Sequence, residues 1–141
     1  MSMSNVLGYA RTRMKALGFV EHPDANNFEN ISRNNLDTAF HLELGTFTRD
    51  GENQNNMEIL APFTVKFFRG IRRDTNTTRD EVIVKVDTII DAFIKASNRL
   101  TISGINTVVF DSGIVEELSD NNDNAFMITL EFTALVIKST T

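Results

Sequence analysis

Apolar residues recur along this chain with two different periods, and the switches between them mark its elements. Val6, Leu7, Ala10, Met14 and Leu17 follow a 3.6-residue period, which predicts a helix from about Ser4 to Leu17. Arg11, Arg13 and Lys15 fall on its other face or in its last turn, where cations suit the helix dipole, and Gly18 fits the C-cap. Glu21 to Leu36 is rich in Asn, Asp and Ser and reads as loop, pinned to the core by Phe28 and Ile31. Phe40, Leu42 and Leu44 then alternate with His41 and Glu43, the period-2 pattern of a half-buried strand. The polar run Arg49 to Asn56, with its Asp-Gly pair, predicts the tip of a long hairpin. Its second strand runs from about Met57 to Gly70, with Phe63, Val65 and Phe67 on one face and Thr64, Lys66 and Phe68 on the other. Pro62 places this strand at an edge or a bulge.

The period changes again after Thr78. Thr78 to Glu81 fits a capping box, with Thr78 as N-cap, and Val82, Ile83, Val86, Ile89, Ile90, Phe93 and Ile94 recur at helical spacing. Acidic residues in the first turn and Lys95 and Arg99 near the end complete a helix of about five turns. Ile105 to Leu118 reads as a strand with a bend or bulge at Asp111-Ser112-Gly113. Ala125 to Lys138 is a long strand after a polar turn. Phe126, Ile128, Leu130, Phe132, Ala134 and Val136 share one face, and Met127, Thr129, Glu131, Thr133, Leu135 and Ile137 share the other. Leu135 and Ile137 make that second face apolar near its end. Either they cover a local part of the core, or a partner lies there.

The expected fold is therefore α+β in the order α-β-β-α-β-β: a mostly antiparallel four-stranded sheet with two helices packed on one face. No linker or internal repeat divides the chain, so residues 1–141 read as one domain.

Composition narrows the function more than it names it. With 41% hydrophobic and 23% charged residues the chain is ordinary for a globular domain. It has no cysteine, which removes thiol nucleophiles and cysteine-ligated metal sites. A formal net charge of −5 disfavours tight binding of bare nucleic acid through a broad basic surface. No stretch is apolar enough for a membrane helix, and Met1 to Ala10 does not read as a secretory signal, so a cytoplasmic setting is the expectation.

The candidate chemistry is thin. His22 and His41 are the only histidines, and His41-Leu42-Glu43 lacks the cysteine pair that a zinc deaminase needs. Asp120, Asn122, Asn124 and Glu131 fall on four positions of a calcium-binding loop. The turn position holds Ala125 instead of Gly, and the exit is strand-like rather than helical, so a hairpin turn is expected. Asp87 and Asp91 share a helix face without a nucleophilic or basic partner and read as solvated. Neither a phosphate-binding glycine loop nor a nucleophile elbow is present. The two Asn-x-Ser/Thr triplets at Asn30 and Asn76 carry little weight without a secretory signal. No enzymatic activity, cofactor or metal is expected. The one basic cluster, Arg69, Arg72 and Arg73 with Arg79 nearby, is expected to pair with carboxylates within the fold or across a subunit interface.

Four segments together resemble the tail terminator (tail completion) proteins of long-tailed bacteriophages, the lambda tail terminator family. They are Val6-Leu7-Gly8-Tyr9-Ala10-Arg11, Pro62-Phe63-Thr64-Val65-Lys66-Phe67-Phe68-Arg69-Gly70, the Thr78 to Arg99 helix and the Ala125 to Lys138 strand. The resemblance lies in size and element order and covers nearly the whole chain. It implies a hexameric ring that caps the tail tube, stops its polymerisation and joins the tail to the head connector. DNA would pass through the channel without specific binding. The protein would be a virion component assembled in the host cytoplasm, with itself, the tail-tube protein and a connector or neck protein as partners, and no membrane. Tail-tube and head–tail joining proteins have related folds and stay open as alternatives, as does a small ligand-binding α+β domain. On this reading Arg69, Arg72, Arg73, Leu135 and Ile137 are candidate subunit-interface residues. Arg49, Asp50, Gly51, Glu52 and Asn53 are the candidate contact with an axial partner.

Overall fold

The first helix, α1 (Ser4–Ala16), buries Val6, Tyr9, Ala10 and Met14, one turn apart along a single stripe. It ends in a Schellman motif. Gly18 adopts φ +93°, and the Phe19 amide donates to the Met14 carbonyl at 3.1 Å while the Gly18 amide donates to that of Lys15 at 3.0 Å. A side chain at Gly18 would meet the strain of the left-handed region. The computed structural model describes residues 4–22, 36–52, 56–71, 74–95, 105–120 and 123–139.

The strands are β1 (Val20–Glu21), β2 (Ala39–Leu44), β3 (Thr48–Glu52), β4 (Asn56–Gly70), β5 (Ile105–Asp120) and β6 (Asp123–Ser139). They form one sheet of order β1-β2-β4-β6-β5, with β3 pairing β4 beyond the end of β2. All pairings are antiparallel except β1 with β2. The sheet thus has six strands, not the four expected. The two extra strands have no sequence period. β1 is two residues long, and its pairing is extended by the His22 amide donating to the Phe40 carbonyl at 2.8 Å. β3 is wholly polar apart from Gly51 and is held by the free edge of β4, not by an apolar face.

β3 also corrects the hairpin tip. Arg49, Asp50, Gly51 and Glu52, expected in a turn, are strand residues, and the ladder slips between Arg49 and Gly51. Asn53, and with it the turn itself, lies outside the described residues.

β4 is central, so the edge position expected from Pro62 is wrong. A strand residue's N–H and C=O point to the same side, and the Pro62 carbonyl accepts from the Gly45 amide at 2.8 Å in the gap between β2 and β3. The missing proline donor therefore falls at the one place where no strand residue needs it. Gly45 suits that crossing, because a Cβ there would stand 3.1 Å from the Pro62 Cβ.

The second helix, α2 (Thr75–Ile94), starts earlier than the capping box suggested. Asp74, not Thr78, is the N-cap, and its carboxylate accepts from the Thr77 amide at 2.7 Å and the Thr77 hydroxyl at 2.8 Å. Thr78 is instead buried in the first turn, where its hydroxyl donates to the Asp74 carbonyl at 3.2 Å. The first turn carries no acidic residue, and the chain leaves the helix at Lys95. Arg99 lies outside the described residues.

Both helices pack on one face. Tyr9, Val82, Ile89 and Phe93 meet Phe40, Phe63, Val65, Phe67, Ile128, Leu130 and Phe132 in one apolar cluster. α1 lies against β1, β2 and β4, while α2 lies against β4 and β5. At the centre Phe132 stacks on Phe63 with ring centroids 5.4 Å apart and leans on Phe93 at 4.7 Å. The opposite face is covered only locally among the described residues: Leu36, in a 3-10 turn (Leu36–Thr38), closes over Ala39, Phe68 and Ala125, with Met127 beside them.

Candidate assembly surface

β5 is the outermost strand of its side of the sheet, and no described strand pairs its free edge. Its side chains are exposed without a break over residues 109–117. Those residues include Val109, Phe110, Ile114 and Val115, which point alternately to the two faces on either side of a ladder slip at Asp111. An edge strand of sixteen residues carrying apolar side chains is a template for further pairing. Sequence reading placed the bulge but missed the exposure. Val108-Val109-Phe110 and Ile114-Val115 make both faces of the strand apolar, a pattern that suits a covered strand and therefore hides an edge.

The open face continues from this edge. Leu135 lies opposite Leu60 on β4 and Thr107 on β5, while Ile137 lies opposite Glu58. Both are half-buried, and with Pro62 and the exposed Val109 they form an apolar strip at the β3 end of that face. Farther along the strip turns polar. Glu131 accepts from the Ser112 hydroxyl at 2.8 Å, and Lys66 reaches Glu43 at 3.2 Å, with His41 Nε2 3.6 Å from the same carboxylate. His41 Nδ1 lies 3.1 Å from the His22 carbonyl, so both histidines hold the β1–β2 junction together.

The basic cluster is placed only at Arg69; Arg72 and Arg73 lie outside the described residues. Arg69 Nη2 donates to Glu81 at 2.7 Å and Nη1 stands 3.5 Å from Asp37, so both of its carboxylates come from its own chain. The Asp37 carboxylate also accepts from the Gly70 amide at 2.8 Å, which ties the 3-10 turn to the end of β4. Beside this network a pocket of about 120 Å³ is lined by Phe19, Arg69, Glu81, Val82 and Lys85. Small-molecule sites generally run to several hundred Å³.

Charge is distributed unevenly. Residues 105–139 carry six acidic side chains and one basic, Lys138, a balance equal to the net −5 of the whole chain. The remaining residues hold 13 acidic and 13 basic side chains. At the opposite side of the sheet α1 contributes Arg11, Arg13 and Lys15 and no acid. Glu21 in β1 accepts from Arg11 Nε at 2.8 Å. That hydrogen bond holds the Glu21 carboxyl below its ordinary pKa and raises that of Arg11.

Among the described residues no group of three or more His, Asp or Glu is placed to hold a metal ion, and no helix is long and apolar enough to cross a membrane. Comparison of the sequence with protein-family models and with curated proteins gives no match.

Proposed function

We propose that this chain is a structural virion protein of the phage tail: a terminator that forms a ring on the last ring of tail-tube protein, stops its growth and offers the docking surface for the head connector. The observation that carries this reading is the β5 edge, long, with exposed apolar side chains on both faces and no partner strand among the described residues. Contiguous apolar surface of this kind marks a place where other chains bind. The open-face strip around Leu135 and Ile137 continues the same surface inward. The order of the long elements, α1, β2, β4, α2, β5 and β6, is the order on which the terminator resemblance rests. A ring of copies, hexameric in that family, would leave a channel for DNA to pass without specific binding.

A ligand-binding domain has less behind it, since the pocket beside Arg69 is small and the charge of Arg69 is matched by Glu81 and Asp37. The test is the mass in solution by light scattering with negative-stain images of the same peak, followed by addition to growing tail tubes. Rings with a central hole that arrest tube growth are the expected result. Open tubes of the chain alone would replace the terminator with a tail-tube protein. Tubes that grow unhindered, with no ring on their ends, would refute the proposal.

A further inference from the structure

We propose that the free edge of β5 docks a basic, extended segment of another protein, which adds to the sheet as a further strand. On the terminator reading that protein is another virion component, but the site is defined by its own chemistry. In an antiparallel sheet alternate residues of an edge strand turn their N–H and C=O groups outward, and an extended chain laid alongside satisfies them. β5 offers such an edge over sixteen residues. Its side chains set the chemistry of the occupant. On the open face it presents Val109, Ile114 and then Glu116, and on the helix side Phe110, Val115 and then Glu117, all exposed. Both faces therefore pass from apolar to acidic in the same direction. An antiparallel occupant, the more favourable ladder, meets the glutamates first, so it carries basic residues at its start and apolar ones beyond.

The acidic end is not neutralised from within the fold. β5 has no basic residue, Glu116 and Glu117 form no ion pair among the described residues, and Asp111 accepts from the Thr133 hydroxyl. The one base of β6, Lys138, lies opposite Met57, at the other end of the strand from Met127 and Phe126, which stand opposite the two glutamates. A second copy does not supply the missing charge. Another β5 brings the same acids, and like charges on adjacent strands repel, which guards this edge against pairing with itself. At the other side of the sheet Arg11, Arg13 and Lys15 of α1 and Arg49 of β3 are matched by Glu21, Glu43, Asp50 and Glu52 of β1–β3. The chemistry left for the occupant is a strand from a different chain, basic where β5 is acidic.

The probe is a short labelled peptide, two lysines followed by alternating valine and threonine, added to the full chain. Fluorescence anisotropy reads its binding and hydrogen exchange locates it. The peptide should bind and slow the exchange of β5 amides. Replacing two of its valines with proline keeps its charge but removes ladder donors, and should weaken binding roughly tenfold or more. E116K/E117K alters two exposed residues outside the apolar core, and circular dichroism establishes that it folds. It should lose the lysine peptide roughly tenfold or more and bind instead the counterpart peptide that begins with two glutamates. Three results would overturn the inference. One is a proline peptide that binds as well as the original, which reduces the contact to charge attraction without a ladder. Another is a lysine peptide that fails to bind at millimolar concentration, or binds E116K/E117K equally. The last is protection of the β5 amides in the chain alone that rises with its concentration, the signature of a second copy on this edge. None of these bears on tube capping, which judges the terminator reading by itself.

Discussion

The two faces of β6 hold the same strand to different standards. On the helix side Phe126, Ile128, Leu130, Phe132, Ala134 and Val136 are all buried, each opposite a residue of β4 and within the cluster that the two helices join. On the other side Thr129, Glu131, Thr133, Leu135 and Ile137 alternate with them at the same spacing, yet remain half-buried or exposed. Burial of a large apolar side chain contributes about 1.5–3 kcal/mol, so nearly all the stability this strand confers comes from one face. Beyond Ala125 and Met127, which the 3-10 turn covers, the other face adds less to stability, which leaves it available to a partner of the kind proposed above.

The sharpest way to break the comparison is at its centre. Phe132 is fully buried between Phe63, Phe93 and Phe110. Phe132→Ala should cost about 3–5 kcal/mol, the range for truncating a packed core aromatic, read as a lower midpoint in urea unfolding. A loss below about 1 kcal/mol would mean that the helix-side face is no better packed than the open one. A smaller effect is expected at Tyr9, whose hydroxyl donates to the Phe93 carbonyl at 2.6 Å within the core. That carbonyl belongs to the last turn of α2, whose carbonyls need partners from outside the helix. Tyr9→Phe keeps the ring against Phe93 and removes the donor. It should destabilise by about 1–2 kcal/mol, measured by the same unfolding curve.

These buried positions show which parts of the fold were legible. The α1 stripe, the α2 stripe and the alternation of β6 rest on periods repeated several times, and periods of that length survive any tertiary context. β1 and β3 could not be read, because two residues make no period and Thr48 to Glu52 offers no apolar one. Their strand geometry comes from the edges they dock on. The start of α2 was misread for a related reason: Thr78 and Glu81 satisfy the capping pattern, but Asp74 lies four residues earlier and caps more strongly. Glu81 was then free to bind Arg69. At the surface, Leu135 and Ile137 were visible as excess apolar residues on one face, whereas the β5 edge was not. Which strand ends a sheet is a property of topology, and no local pattern encodes it.

The Asp74 cap gives the next smaller effect, on the pH axis. Hydrogen bonds from the Thr77 amide and hydroxyl favour the ionised carboxyl and hold its pKa below the ordinary carboxylate value. A group depressed in the folded state contributes stability above its unfolded pKa, and that contribution is lost as pH falls through the folded value. Glu21, depressed by Arg11, acts in the same direction. Melting temperature should therefore fall as pH drops through the carboxylate range. Asp74→Asn should keep the cap and flatten part of that slope, while Asp74→Ala should lower the melting temperature at neutral pH as well. An Asp74→Asn protein with an unchanged acid slope would remove Asp74 from this account.

The smallest stability change is expected where the comparison matters most for function. Ile114 stands on the open side of β5 and is 54% exposed, whereas Val115, its neighbour in sequence, turns toward the helix side. Ile114→Thr keeps a β-branched side chain, and with it the strand preference, but replaces an apolar surface with a polar one. In the isolated chain little apolar contact is lost, so the unfolding midpoint should move by no more than about 0.5 kcal/mol. In an assembly that covers the β5 edge the same change removes apolar contact and adds a hydroxyl to be desolvated, so association measured by light scattering should weaken while stability holds. A substitution that lowers stability as much as a core truncation would mean that Ile114 is already packed within its own chain. One that leaves both stability and association unchanged would place the contact elsewhere on the molecule. Only the split between the two readouts identifies a surface whose apolar residues serve a second chain and not the fold.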